Sequence, residues 1–235
     1  MSCIKFAAVA ALVLLQGLAQ ASSFAQACER ELAPAEVVVN VNTQLPDIET
    51  RSTTLADATN AVHGTTDITR IAALGHTTAT RNIAYEFGAD ILVDEKTGRQ
   101  CARLAVDFEL GYSTMVIEIA RDFAPHSCGY REVMAHEMEH VRIFEQNLLT
   151  LKERVMRSLA DMPALPVVYA SSDEELARVL EAQVTDILMP RIVAVMDEVR
   201  AQHAELDSHE ESNRVFNACD GEVRATLREA LAALR

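Results

Sequence analysis

Residues 136 to 140 read His-Glu-Met-Glu-His. On a helix, residues four apart share a face, so His136 and His140 can reach one ion, and Glu137 lies beside it. Zinc is the cation this donor set suits: it lowers the pKa of a coordinated water from 15.7 to about 7, and a neighbouring glutamate can then take the proton as general base. The chemistry this pattern points to is metal-assisted hydrolysis, with His136 and His140 as ligands and Glu137 as catalytic base.

A hydrolytic zinc site takes a third protein ligand and keeps its fourth position open. Glu145 follows closely but falls on the opposite side of the helix. The third ligand is therefore expected further along, where His203, Asp207, His209 and Glu210 cluster, with Glu181 and Asp186 as further options. Asp207 also has a purely structural reading, because Asp-x-x-Glu is a helix-start pattern that needs no metal. His203 and His209 can equally be solvated histidines on a polar helix face. A carboxylate-bridged di-iron bundle would use Glu137 and His140 as one ExxH half-site. The second is absent, since Arg200 stands three before His203 and Leu206 three before His209. No GxSxG nucleophile motif occurs.

The elements that must position these residues follow from periodicity. Val37, Val39 and Val41 alternate, as do Ile83, Tyr85 and Phe87, then Leu104 to Leu110, then Met115, Ile117 and Ile119 after a Gly111-Tyr112 turn. Period two marks half-buried strands, and Asp94 to Gly98 is a reversal between neighbours expected to be antiparallel. The run from Met115 to Ala120 is expected as an edge strand, able to hold an extended peptide across the metal. Thr53 to Gly75 suggests one helix. After Cys128 the period becomes helical, with a long helix over Arg131–Ala160 and another from the Ser172/Glu175 capping box, kinked at Pro190, to Ala204. Asp207 with Glu210 would start the next, and Glu222 to Arg235 forms an amphipathic tail. The expected class is α+β: an antiparallel-rich sheet from the first half, packed by long helices, with the metal motif on the first of them.

Met1 to Ala21 has the layout of a secretory signal peptide: a short polar start, an apolar run from Phe6 to Ala19, and small residues for cleavage. The run is short of the roughly 20 residues that cross a bilayer, so no stable membrane insertion is expected after cleavage. The remaining 22–235 is of a size for a single domain. Export to the periplasm or beyond places Cys28, Cys101, Cys128 and Cys219 in an oxidising compartment, where two disulfides are expected in one of three pairings. With 21 Lys+Arg against 35 Asp+Glu and no basic cluster, nucleic acid is not an expected partner.

In its order of strands, Cys101 at a strand start, the His136–His140 helix and the Leu206-Asp207 pair, the chain resembles an uncharacterised family of bacterial secreted zinc-dependent proteases, and more generally the zincin metallopeptidases. That family follows its histidine pair with Tyr-Asp, then Thr and His-Gly. Here the segment is Leu206-Asp207-Ser208-His209-Glu210-Glu211-Ser212, in which only the aspartate matches. The resemblance implies a zincin-like domain, zinc, a peptide or protein substrate, and Asp207 as third ligand, with His209, His203 and Glu210 as alternatives. The other function carried forward is non-enzymatic: an exported envelope or binding protein with a structural or degenerate metal site.

Overall fold

A computed structural model describes residues 24–69 and 72–233. The expected signal peptide lies outside them. The strands are β1 (Glu36–Val41), β2 (Ile48–Thr53), β3 (Gly75–Val93), β4 (Gln100–Ala120) and β5 (Val168–Ala170). The helices named below are α1 (Leu55–His63), α2 (Cys128–Ala160), α3 (Asp173–Ala182), α4 (Met189–Asp197), α5 (Val199–Leu206), α6 (His209–Asn217) and α7 (Glu222–Ala233). Most strands lie in the first half and most helices in the second, an α+β arrangement. The sheet has the order β1-β4-β2, with β3 and β5 also pairing to β4.

The strand directions correct the expectation of an antiparallel-rich sheet. β2 runs parallel to β4 from Ile48 opposite Met115 to Thr53 opposite Ala120, while β5 is antiparallel to β4 at Gln100–Ala102. Alternating burial reports which face of a strand is covered and says nothing about its direction. A parallel partner needs a long crossover, usually helical, and α1 directly after β2 begins it. β2 itself carries no alternating apolar signal, because Ile48-Glu-Thr-Arg-Ser-Thr53 is almost wholly exposed.

β4 corrects two further expectations. No turn interrupts it at Gly111-Tyr112: buried positions change phase there, from Leu104, Val106, Phe108 and Leu110 to Met115, Ile117 and Ile119, while the strand continues. A phase change in a period-two pattern looks like a turn in sequence, yet backbone pairing carries the strand through it. Nor is Met115–Ala120 an edge: it belongs to β4, which stands between β1 and β2 in the sheet order, and β2 pairs along all of it. β3 pairs with β4 and, among the described residues, with no other strand. The reversal from β3 into β4 is where it was expected, closed by Asp94 and Arg99 backbone bonding and a Thr97 hydroxyl donating to Asp94.

The chain divides into two compact units. The first comprises the described residues of Met1–Val38, with Tyr85–Phe108 and Ser158–Ile192. Cys28 and Cys101 are bonded and fully buried there, packed with Val167, Phe24, Leu32 and Leu92. The Ser172 hydroxyl caps α3 by accepting from Glu175 N–H, as the capping box predicts. Between α3 and α4 the helix loosens into a π-helical stretch, Gln183–Leu188, just before Pro190. Pro190 supplies no N–H to the helical ladder, and the local disruption sits upstream of it rather than at the proline itself.

The second unit comprises the described residues of Val39–Ala84 and Val193–Arg235, with Glu109–Arg157. It contains the second disulfide, Cys128–Cys219, which closes a loop of sequence separation 91. A cross-link over so long a loop restricts the unfolded chain strongly. Replacing both cysteines with serine is expected to lower stability by about 2–5 kcal/mol. Urea unfolding of parent and double variant measures this, and coincident midpoints would contradict it.

Candidate metal centre

The site is built on α2, whose rotation is set by an apolar stripe. Val133, Val141, Phe144, Leu148, Leu151 and Val155 are buried at helical spacing, and burial of such a stripe supplies most of a helix's stability in a protein. The start of α2 is held three ways. Ser127 Oγ accepts from Tyr130 N–H, Glu222 Oε1 accepts from Gly129 N–H, and Cys128 is bonded to Cys219. With the helix so fixed, Glu137 is 3% and His140 7% exposed, and His136 is half-buried.

Asp207 meets both histidines. Its Oδ1 lies 3.2 Å from His136 Nε2 and 3.1 Å from His140 Nε2. One ligand atom from each of the three residues lies within 4.8 Å of the others. Asp207 ends α5, with its own N–H bonded to His203 O at 2.9 Å. It does not cap α6: Ser208 does, its hydroxyl accepting from Glu211 N–H. The helix-start role read for Asp207 therefore falls to its neighbour, and the aspartate side chain turns to the histidines.

The other residues considered as third ligand are placed differently. His203, one turn before Asp207, presents Nδ1 to His140 Nδ1 at 2.8 Å, and its ring packs on Phe144 at 4.4 Å between centroids. It meets His140 through the ring nitrogen that does not face Asp207. His209 and Glu210 are exposed on the first turn of α6 and stand outside the converging group. The residue not anticipated is Glu211, whose Oε1 lies 3.3 Å from His136 Nδ1. Its one sequence signal is its position four after Asp207.

Glu137 is held just as specifically. The Thr77 hydroxyl donates to Glu137 Oε2 at 2.8 Å and also lies 3.1 Å from the Glu137 carbonyl. Oε1 faces the bare backbone of Gly75, where a Cβ would come within 3.0 Å of Oε1 and 2.8 Å of Glu118 O. Only glycine lets β3 approach α2 this closely. Thr77 and Gly75 belong to no recognisable motif, because their roles exist only once β3 lies against α2.

The electrostatics of the cluster are uneven. Burial raises the Glu137 carboxyl above the usual range, opposed by the Thr77 hydrogen bond and by His140 and His136. For Asp207 burial also works against ionisation, but hydrogen bonds from His136 and His140 outweigh it and hold the carboxyl well below its ordinary value. Burial lowers His136, and Asp207, Glu137 and Glu211 more than offset this, leaving it raised. His203 is pushed down to about 4 by burial and by His140, so it is neutral at pH 7.

A cavity of about 550 Å³ opens on these residues. Its wall combines His136, Glu137, His140 and Asp207 with apolar groups such as Leu74, Val133 and Val215, and with the β3 segment Gly75–Thr78. No family model matches this chain, and neither a curated protein nor a solved structure does. Among the described residues no helix is long and apolar enough to cross a membrane.

Proposed function

We propose that this protein is an exported zinc-dependent hydrolase acting on peptide bonds, with His136, His140 and Asp207 holding the ion and Glu137 as general base. The observation that carries the reading is the convergence of His136 Nε2 and His140 Nε2 on one Asp207 oxygen, at 3.2 and 3.1 Å. Two imidazoles and a carboxylate are a donor set that zinc favours, and among the described residues no fourth protein donor joins them. A site closed by four protein ligands is structural, whereas three leave a position for water. The ion, when bound, supplies the Lewis acidity that makes a water nucleophilic near neutral pH.

The chain's own groups do the rest. Thr77 fixes Glu137 Oε2 and so aims the other oxygen, Oε1, at the space beside Gly75. Burial that lifts the Glu137 carboxyl towards neutrality makes it a better match for proton transfer at pH 7. β3, unpaired on its outer side among the described residues, contributes Gly75–Thr78 to the cavity wall. An extended peptide can add to such an edge through main-chain hydrogen bonds, the role first expected of Met115–Ala120. The two disulfides agree with export to the periplasm or the medium.

Metal analysis of the purified mature protein tests the reading. About one zinc per chain is expected, removable by a chelator and restored by added zinc, as a three-ligand site implies. A chain that retains no zinc after supplementation and buffer exchange would sink it.

A further inference from the structure

An imidazole can bind a cation only through a nitrogen that carries a lone pair, and which nitrogen that is depends on what the other one meets. His136 turns Nε2 to Asp207 and Nδ1 to Glu211 Oε1. Both nitrogens thus face carboxylate oxygens, and an ionised carboxylate only accepts; when an ion takes Nε2, Glu211 is the acceptor that keeps the proton on Nδ1. Glu211 is itself held. Arg214 donates to both of its oxygens, Nε to Oε2 and Nη2 to Oε1, each at 2.8 Å. Arg214 Nη1 also donates to Glu132 Oε2 at 3.1 Å. Glu132 stands on α2 one turn before His136, so the chain of contacts closes on the helix where it began.

We infer that Glu211 is a positioning residue for the metal centre, fixing the ring orientation and tautomer of His136 through the Arg214–Glu132 brace. This rests on the zinc reading above and names a residue that the HExxH pattern does not contain. It also gives α6 a role at the centre. Ser208 caps that helix, and its first turn brings Glu211 against His136 while Glu210 faces solvent. The adjacent glutamates provide an internal control, since removing either changes the local charge equally and only one touches the ligand.

The test compares Glu211→Ala, Glu211→Gln and Glu210→Ala in the intact mature chain, with zinc affinity measured by competition against a chromophoric chelator. Loss of such an outer partner typically costs 10- to 100-fold in metal affinity, so a drop of about that size is expected for Glu211→Ala. Glu210→Ala should bind like the parent. Glu211→Gln should recover part of the loss, because its amide oxygen can still accept from Nδ1. In the zinc-loaded parent, nitrogen-15 spectra of the histidines should show a protonated Nδ1 on His136, and that proton should exchange faster in Glu211→Ala. Equal zinc affinity of Glu211→Ala and parent would overturn the inference while leaving the zinc reading intact. So would equal losses in Glu210→Ala and Glu211→Ala, or a glutamine variant as weak as the alanine one, since either result assigns the effect to charge rather than position. A parent that takes up no zinc would overturn both.

Discussion

The His140→Ala protein is expected to lose zinc affinity by well over about 100-fold, beyond the range for losing an outer partner, because only His136 and Asp207 would remain to hold the ion. His140 is nearly buried and makes two contacts at once, Nε2 to Asp207 and Nδ1 to His203. Truncation therefore also leaves His203 without its partner, and its second ring nitrogen, Nε2, is already buried without one. Some of the damage to the metal-free protein will be structural. For that reason His136→Ala is the companion variant: its ring is more accessible and its loss opens less of the core. Both proteins should fold, by circular dichroism and cooperative urea unfolding, and both should fail to retain zinc through gel filtration. A folded His136→Ala or His140→Ala protein that keeps a full equivalent would show that the ion, if bound, sits elsewhere.

Replacement of Glu137 by glutamine should have the opposite pairing of effects. The amide keeps the shape of the side chain, and its carbonyl oxygen can still accept from the Thr77 hydroxyl that now bonds Oε2. Zinc binding should therefore persist at about one equivalent. What the amide cannot do is take a proton from water, and a positioned general base contributes roughly 10²- to 10⁴-fold. Hydrolysis of an unfolded protein, or of mixed-sequence quenched fluorescent peptides, should fall by about that factor in kcat/KM. If the parent cleaves none of these while holding zinc firmly, the exported binding-protein alternative is favoured. If Glu137→Gln cleaves as fast as the parent, the base lies elsewhere.

Half of the proposed centre is written in the amino-acid order alone. His136, Glu137 and His140 are local: their spacing on one helix puts them together whatever the rest of the chain does. The burial of α2 was legible for the same reason, since an apolar stripe at helical period reports on one element alone. So were the four cysteines as a disulfide set, though their pairing was not, because pairing depends on which loops fold near each other. The Ser172 capping box was legible because a cap is completed within four residues.

The other half depends on packing. Asp207 and Ser208 are both competent helix caps, and the choice between them follows from α5 ending at Leu206, which leaves Asp207 beside α2 and Ser208 at the start of α6. Glu210 and Glu211 are chemically identical, and the turn of α6 selects Glu211 for His136. Strand direction was not legible because alternation is the same for parallel and antiparallel partners, and β2 shows no alternation at all. The edge assignment failed with it, because Met115–Ala120 belongs to β4, the strand with which the others pair. Gly75 and Thr77 acquire their meaning from a contact across 60 residues of chain, the separation between Thr77 and Glu137. Periodicity and motif spacing describe neighbours along the chain. Groups brought together by packing carry no such mark, because burial in a core constrains only their size and polarity.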